Sequence, residues 1–165
     1  AINKSVFAGM VGIISVALFM ILYYGRLGII ATVALLMYGV FALALFKLIP
    51  VVLTLPGVAG FLLSIGMAVD SNILTFERYK EEITRGLGVG DALEAGFGRA
   101  WDSIRDANIA TLLTSFILFN PLNWEFLHTS GPVRGFAATL ALGVLLSLFT
   151  GVVVTRTLLR TFVRK

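Results

Sequence analysis

Cysteine is absent from the 165 residues, which excludes disulfides, thiolate catalysis and cysteine-ligated metal sites and leaves the redox compartment open. Histidine occurs once, as His128. One imidazole and no thiol make no credible zinc ligand set, and His128 lies in a loop far from any buried nucleophile. No Gly-rich loop of the Walker form is present to cradle a phosphate. Charge is scarce as well: 13% of the residues are charged, against about 25% in an ordinary soluble domain. These absences argue against an enzyme and against any cofactor.

Apolar residues dominate instead, at 58%. A helix needs about 20 apolar residues to cross the hydrocarbon core, and only helices or closed barrels satisfy their backbone there. Barrel strands alternate polar and apolar residues; these runs do not. Uncharged runs lie between Lys4 and Arg26 and between Arg26 and Lys47. A third begins after Lys47, passes a break at Pro50–Pro56 and reaches Arg78 with Asp70 inside it. Two more lie between Asp106 and Glu125 and between Arg134 and Arg156. The predicted spans are 5–25, 27–47, 56–78, 107–121 and 134–156, all within one transmembrane domain covering 1–165. The short Gly25–Gly28 link makes the first two an antiparallel pair, and Pro56 suits a helix start. Leu93, Phe97, Trp101 and Ile104 recur at helical spacing, which predicts a further helix over 91–105, lying on the cytoplasmic membrane surface. The expected fold class is an all-α membrane protein of five transmembrane helices plus that surface helix.

The net charge of +4 does not point to nucleic acid, because the basic residues sit at the ends of the apolar runs. Arg26, Arg78, Lys80, Arg85, Arg99, Arg105, Arg156, Arg160, Arg164 and Lys165 fall on one side, and Lys4, Lys47 and Arg134 on the other. The positive-inside rule puts the first group in the cytoplasm. The amino terminus is then outside and the carboxyl terminus inside. The chain does not open on Met, and it reads as cut from a longer one.

Asp70 is the residue that carries chemistry. A carboxylate at the centre of a membrane helix costs roughly 2.5–3.5 kcal/mol, and such acids usually face a bundle interior and mark an ion or proton path. Burial disfavours the charged form of a carboxyl, so a proton taken up there is a reversible, voltage-sensitive event. The alternative is structural: a hydrogen bond or ion pair between helices. Gly66, Met67, Asp70, Ile73 and Glu77 share one helical face; Gly60, Ser64, Ala68 and Asn72 form a small-residue row on another. Asn108, Thr111 and Ser115 make a polar stripe on the fourth span, continued outward by Arg105 and Asp106. That stripe either faces Asp70 and positions a proton, or bonds back to its own helix and glues helices together. Gly135, Thr139, Gly143, Ser147, Gly151 and Thr155 recur every four residues in the last span; such a ridge packs tightly against another helix.

The run Gly66-Met-Ala-Val-Asp70-Ser-Asn72-Ile-Leu-Thr-Phe-Glu77-Arg78 closely resembles the signature of SecD in the SecD/SecF family of protein-export membrane proteins. Asp106-Ala-Asn108-Ile-Ala-Thr111, Gly135-Phe-Ala, Leu148-Phe-Thr-Gly and Leu55-Pro-Gly-Val-Ala-Gly60 resemble further motifs of that family, in order. Ser71 departs from the usual Ala. The resemblance implies half of an RND-type helical bundle, spans two to six of six, with a first span and a periplasmic domain lacking here. It implies SecF as partner, fused or separate, work beside the SecYEG channel and the SecA motor, an exported preprotein as cargo, and protons as the energy source in the bacterial cytoplasmic membrane. It puts Asp70 in the position of the family's proton-pathway acid, with Asn72, Asp106, Asn108 and Thr111 as the supporting polar residues. An RND-type proton-coupled exporter of small molecules or lipids is the alternative of a related class, and a non-transporting membrane scaffold is a third.

Overall fold

The computed structural model of the chain describes residues 2–49, 54–125 and 127–163, with side chains described from Phe7 onward. The Lys4 side chain, Pro50, Arg164 and Lys165, used above for topology, lie outside the described residues. Every element among the described residues is helical: α1 (Ile2–Tyr24), α2 (Arg26–Leu48), α3 (Leu55–Thr84), α4 (Val89–Phe119), α5 (Gly131–Phe149), a π-helical segment (Thr150–Thr155) and α6 (Arg156–Phe162). The last three form one unbroken rod.

Local chemistry sets the boundaries. Gly25 turns the chain between α1 and α2 at a φ of 56°, a conformation that costs glycine little. At α3 the Thr54 hydroxyl accepts a hydrogen bond from the Gly57 amide at 3.2 Å, and Pro56 sits in the first turn. Asn120 stops α4 in the left-handed conformation, which asparagine tolerates at helix ends. Its side chain then ties down the following loop, donating to the Leu127 carbonyl at 2.9 Å and accepting from the Trp124 amide at 2.8 Å. Pro132 opens α5.

The predicted surface helix over 91–105 and the span over 107–121 prove to be parts of one helix. Neither glycine nor proline falls between Trp101 and Phe119 to break it, so α4 runs for 31 residues. Four helical stretches are long and apolar enough to cross a membrane: Phe7–Tyr24, Arg26–Leu48, Leu55–Thr84 and Gly131–Phe162. Helix α4 is not among them, because its charges from Asp91 to Asp106 leave only Ala107–Phe119 uncharged. That remainder is about 20 Å long, short of a hydrocarbon core of about 30 Å. Helix α4 nonetheless traverses the bundle, since it joins the end of α3 to the start of the parallel helix α5. Large apolar side chains such as Leu22, Leu36, Val40 and Leu43 stay exposed along α1 and α2, as they do where the solvent is lipid.

The centre of the bundle is the α3–α5 seam, the most extensive helix contact. A methyl group on Gly60 would lie 2.6 Å from the Thr139 hydroxyl and 2.7 Å from the Phe136 carbonyl. One on Gly143 would collide with the Ser64 side chain. Ser64 also shares a buried 2.6 Å hydrogen bond with the Tyr38 hydroxyl, which brings α2 onto the same seam. The two small-residue rows therefore interlock, Gly60 on Thr139 and Ser64 on Gly143. Continued in register, Asn72 would meet Gly151. Instead Gly151 lies nearest Ser71, and Asn72 accepts a hydrogen bond from Thr155 at 2.8 Å, one turn further on. Across eight residues from Ser147, an unbroken α-helix would carry residue 155 roughly 80° around its axis. The wider π turn lets Thr155 still face α3.

Overpacking such a seam costs about 1–3 kcal/mol. Gly143→Ala is expected to lower the thermal unfolding midpoint of the detergent-solubilised protein, whereas Gly39→Ala, where an added methyl meets open space, leaves it unchanged or raises it. Circular dichroism melts of both variants check this; equal midpoints would contradict the seam.

Candidate functional site

Asp70 projects from the middle of α3 and is exposed in this chain. It borders a groove of ≈ 490 Å³ whose walls are α1 (Gly9, Gly12, Ile13, Val16) and α3 (Leu62, Gly66, Ile73). No hydrogen bond or ion pair engages its carboxylate among the described residues, whereas the nearest polar side chains that follow it on α3 are bonded. Ser71 and Thr75 donate back to the Met67 and Ser71 carbonyls, and Asn72 is held by Thr155. The carboxyl is thus without a partner among the described residues. The groove's lining is apolar apart from Asp70 itself. A neutral acid settles there at little cost; a charged one does not.

The other predicted site residues lie elsewhere. Asn72 is buried on the α5 side of α3, on a different face from Asp70. Asp106 is exposed and paired at 3.0 Å with Arg105, which also reaches Asp102 at 3.5 Å. Asn108 is buried and donates back to the Ile104 carbonyl at 2.6 Å. Thr111 donates back to the Ala107 carbonyl at 3.0 Å. None of the four lines the Asp70 groove. The Asn108 Oδ1 and Ser115 Oγ atoms are buried without a hydrogen-bond partner among the described residues.

Three features escaped the sequence reading. The π segment has no sequence signal beyond a Thr-Gly-Val-Val-Val-Thr run. The Asn72–Thr155 bond could have been found by setting the two small-residue rows side by side, since each ends on a polar residue. Two ionic clamps at the charged end join separate elements. Buried Glu82 of α3 takes Arg85 at 2.9 Å and also Arg99 of α4. Glu94 of α4 takes Arg156 at 2.7 Å and also Arg160 of α6. Lys80 adds cation–π contacts, 5.1 Å and 4.3 Å from the ring centres of Tyr23 and Tyr24 in α1.

A sequence profile for the family "Protein export membrane protein SecD/SecF, C-terminal" matches residues 1–165. The chain is 53% identical over 164 residues to the protein translocase subunit SecD of Dehalococcoides mccartyi, covering 98% of this chain and 36% of that protein. It is 52% identical over 160 residues to the same subunit of Thermobaculum terrenum, covering 97% and 30%. It therefore spans about a third of the length of these relatives. Its fold superposes on the crystal structure of SecDF, a translocon-associated membrane protein from Thermus thermophilus, with a TM-score of 0.91 at 38% identity, over 99% of this chain and 22% of that one. SecDF in a super-membrane-facing form gives a TM-score of 0.86 at 37% identity, over 98% and 21%.

The Glu94 clamp has a pH signature. Hydrogen bonds from Arg156 and then Arg160 hold its carboxyl below the usual carboxylate range. A lowered carboxyl contributes stability at pH values above its unfolded range and loses it as pH falls through the lowered value. Both partners are partly exposed, so the contribution is small and salt-sensitive. Proteolytic protection of α6 is expected to differ between wild type and Glu94→Gln at neutral pH, and the difference to vanish on acidification below the carboxylate range or in high salt. A difference that persists in acid would remove Glu94 ionisation as its cause.

Proposed function

The chain belongs to the SecD/SecF family of protein-export membrane proteins, and from that premise we propose that it is the membrane-embedded part of a proton-driven subunit assisting protein translocation. In this reading the cargo is an exported preprotein, and the partners are SecF, fused or separate, the SecYEG channel and the SecA motor. Protons supply the energy and no cofactor takes part. The reading is of a translocation subunit and not of a catalyst. The membrane is the bacterial cytoplasmic membrane, crossed five times when α4 is counted, with the amino terminus outside and the carboxyl terminus in the cytoplasm.

The observation that carries the reading is Asp70: a mid-helix carboxyl, open on an apolar groove and unengaged by its own chain. A structural acid is expected to be bonded by the helices it joins, and among the described residues nothing holds this one. An acid waiting for a proton needs the opposite. Uptake of a proton neutralises Asp70 and favours its settling against α1; release returns the charge and the preference for a polar surrounding. One elementary charge moving through the membrane is worth about 2.3 kcal/mol per 100 mV, enough to shift a two-state equilibrium nearly fiftyfold. The supporting roles assigned to Asn72, Asp106, Asn108 and Thr111 are part of the same proposal. Given their placement away from the groove, those roles are to fix the rotation and height of α3 and α4, with Asp106 and Thr111 on surfaces that water or a partner can reach.

Asp70→Asn preserves size and hydrogen bonding but cannot ionise. In cells relying on the full-length protein, at matched membrane levels and with partner assembly verified, the variant is expected to lose the gradient-dependent component of preprotein export. Export that keeps its dependence on the proton gradient in the variant would overturn the assignment.

A further inference from the structure

We propose that the π-helical segment Thr150–Thr155 is a two-state hinge that reports the state of Asp70 to the charged end of the bundle. The inference rests on the reading of Asp70 as the proton-accepting group and adds the element that responds to it. Four observations meet at this segment.

First, it is a full six-residue π turn inside an otherwise α-helical rod, and such turns are rare and concentrate at functional sites. A π turn accommodates one residue more than an α turn. It can relax to α geometry by passing that residue along, shifting everything beyond it by about 1.5 Å and about 100°. Second, its last residue is bolted to α3. Thr155 donates to Asn72 at 2.8 Å with both side chains buried, and Asn72 stands two residues beyond Asp70 on another face of the same helix. Any rotation of α3 that seats or unseats Asp70 moves Asn72 the opposite way and loads this bond directly. Third, the segment has room to move. A cavity of ≈ 240 Å³ lies against Gly151 and Val152, bounded by Ser71, Thr75 and Ser147. Fourth, the helix beyond the hinge is held at its far side. Arg156 and Arg160 grip Glu94 of α4, so a change of register in α6 pulls on α4. An input, a flexible turn, a void and an output thus lie in series along one rod.

The bias follows from differential interaction, without which no ligand shifts an equilibrium. Charged Asp70 avoids the apolar α1 wall, and neutral Asp70 settles on it. That wall (Gly9, Gly12, Ile13 and Val16) carries no titratable or charged group among the described residues. On α3 itself the next acid along the same face is Glu77, 3.6 Å from Lys80. Asp70 is therefore the one ionisable residue on the groove's lining, and in this proposal α3 has two rotational settings. In one, Asn72 holds Thr155 and the turn is wide; in the other the bond breaks and the turn tightens.

The 165 residues contain no cysteine, so with any cysteine elsewhere in the full-length protein replaced, a spin-label pair can be introduced at Ser103 of α4 and Thr157 of α6, both exposed, in lipid nanodiscs. Pulsed electron resonance distances are measured at high and low pH in wild type, Asp70→Asn, Thr155→Val and a deletion of Val153, which removes the extra residue. In wild type two distances are expected, whose population ratio changes by roughly twofold or more with pH. The ratio is expected to be pH-independent in Asp70→Asn, displaced toward the second distance in Thr155→Val, and a single population in the deletion. One unchanging distance in both wild type and Asp70→Asn overturns the hinge, and those two proteins decide it even if the other variants fail to fold. Loss of gradient-dependent export in Asp70→Asn beside an immobile hinge would leave the reading of Asp70 standing. Retained export in that variant would remove the reading itself.

Discussion

Two helices that meet through glycine, serine and threonine sit close enough for backbone to touch side chain, and the rest of the bundle is built around that approach. The α3–α5 seam positions α2 through the Tyr38–Ser64 hydrogen bond and leaves α4 to pack along both helices. It does so without hydrophobic bulk. In lipid the tails are as apolar as any leucine, so helices associate through close packing and hydrogen bonds. The hydroxyls of the seam are mostly satisfied within their own helices, Ser64 on the Phe61 carbonyl and Thr139 on the Gly135 and Phe136 carbonyls. The seam is consequently smooth. It holds by contact, and hydrogen bonds from neighbouring elements flank it: Tyr38 of α2 meets Ser64 toward one end, and Thr155 of the π-helical segment meets Asn72 toward the other.

With α3 anchored on its α5 face, its other face is free to carry something expensive. Asp70 sits there, on a groove that α1 closes only loosely, since α1 touches α3 far less than it touches α2. The same helix thus has a rigid side and an uncommitted side. That asymmetry is what a coupling helix needs: a fixed bearing against which a small change on the opposite face becomes a rotation. The ionic clamps at Glu82 and Glu94, and Lys80 against Tyr23 and Tyr24, join α3, α4, α6 and α1 at one end. In the proposed hinge, these contacts are what carries motion at the centre to that end.

Much of this was legible in the residues. The uncharged runs marked the helices, Pro56 and Asn120-Pro121 marked a start and a stop, and the row from Gly135 to Thr155 announced a tight helix contact. What stayed hidden has physical causes. The continuity of α4 was obscured because its first half is charged and its second apolar, so one rod looked like two elements. The polar stripe Asn108–Thr111–Ser115 left two readings open, a site facing Asp70 or bonds back to its own helix; Asn108 and Thr111 take the second, while Ser115 Oγ has no partner among the described residues, and the spacing of residues does not reveal that choice. The π turn depends on the match between two helices, and no single run of sequence carries it. Asn72 falls on the small-residue row in the sequence, a different face from Asp70, and only the family resemblance sets it beside the acid; two residues along a helix is about 200° around it, and each helical face has its own neighbours.

The account stands on Asp70 being an acid that changes protonation in the membrane, and infrared difference spectroscopy reads that directly. Full-length protein in membranes, with aspartate carrying a carbon isotope label, is compared on either side of an acid–base transition, beside Asp70→Asn. The account predicts a protonated-carboxyl band in the wild-type difference spectrum that shifts with the label and is missing from Asp70→Asn. A wild-type spectrum identical to that of Asp70→Asn would contradict it and return Asp70 to a structural role.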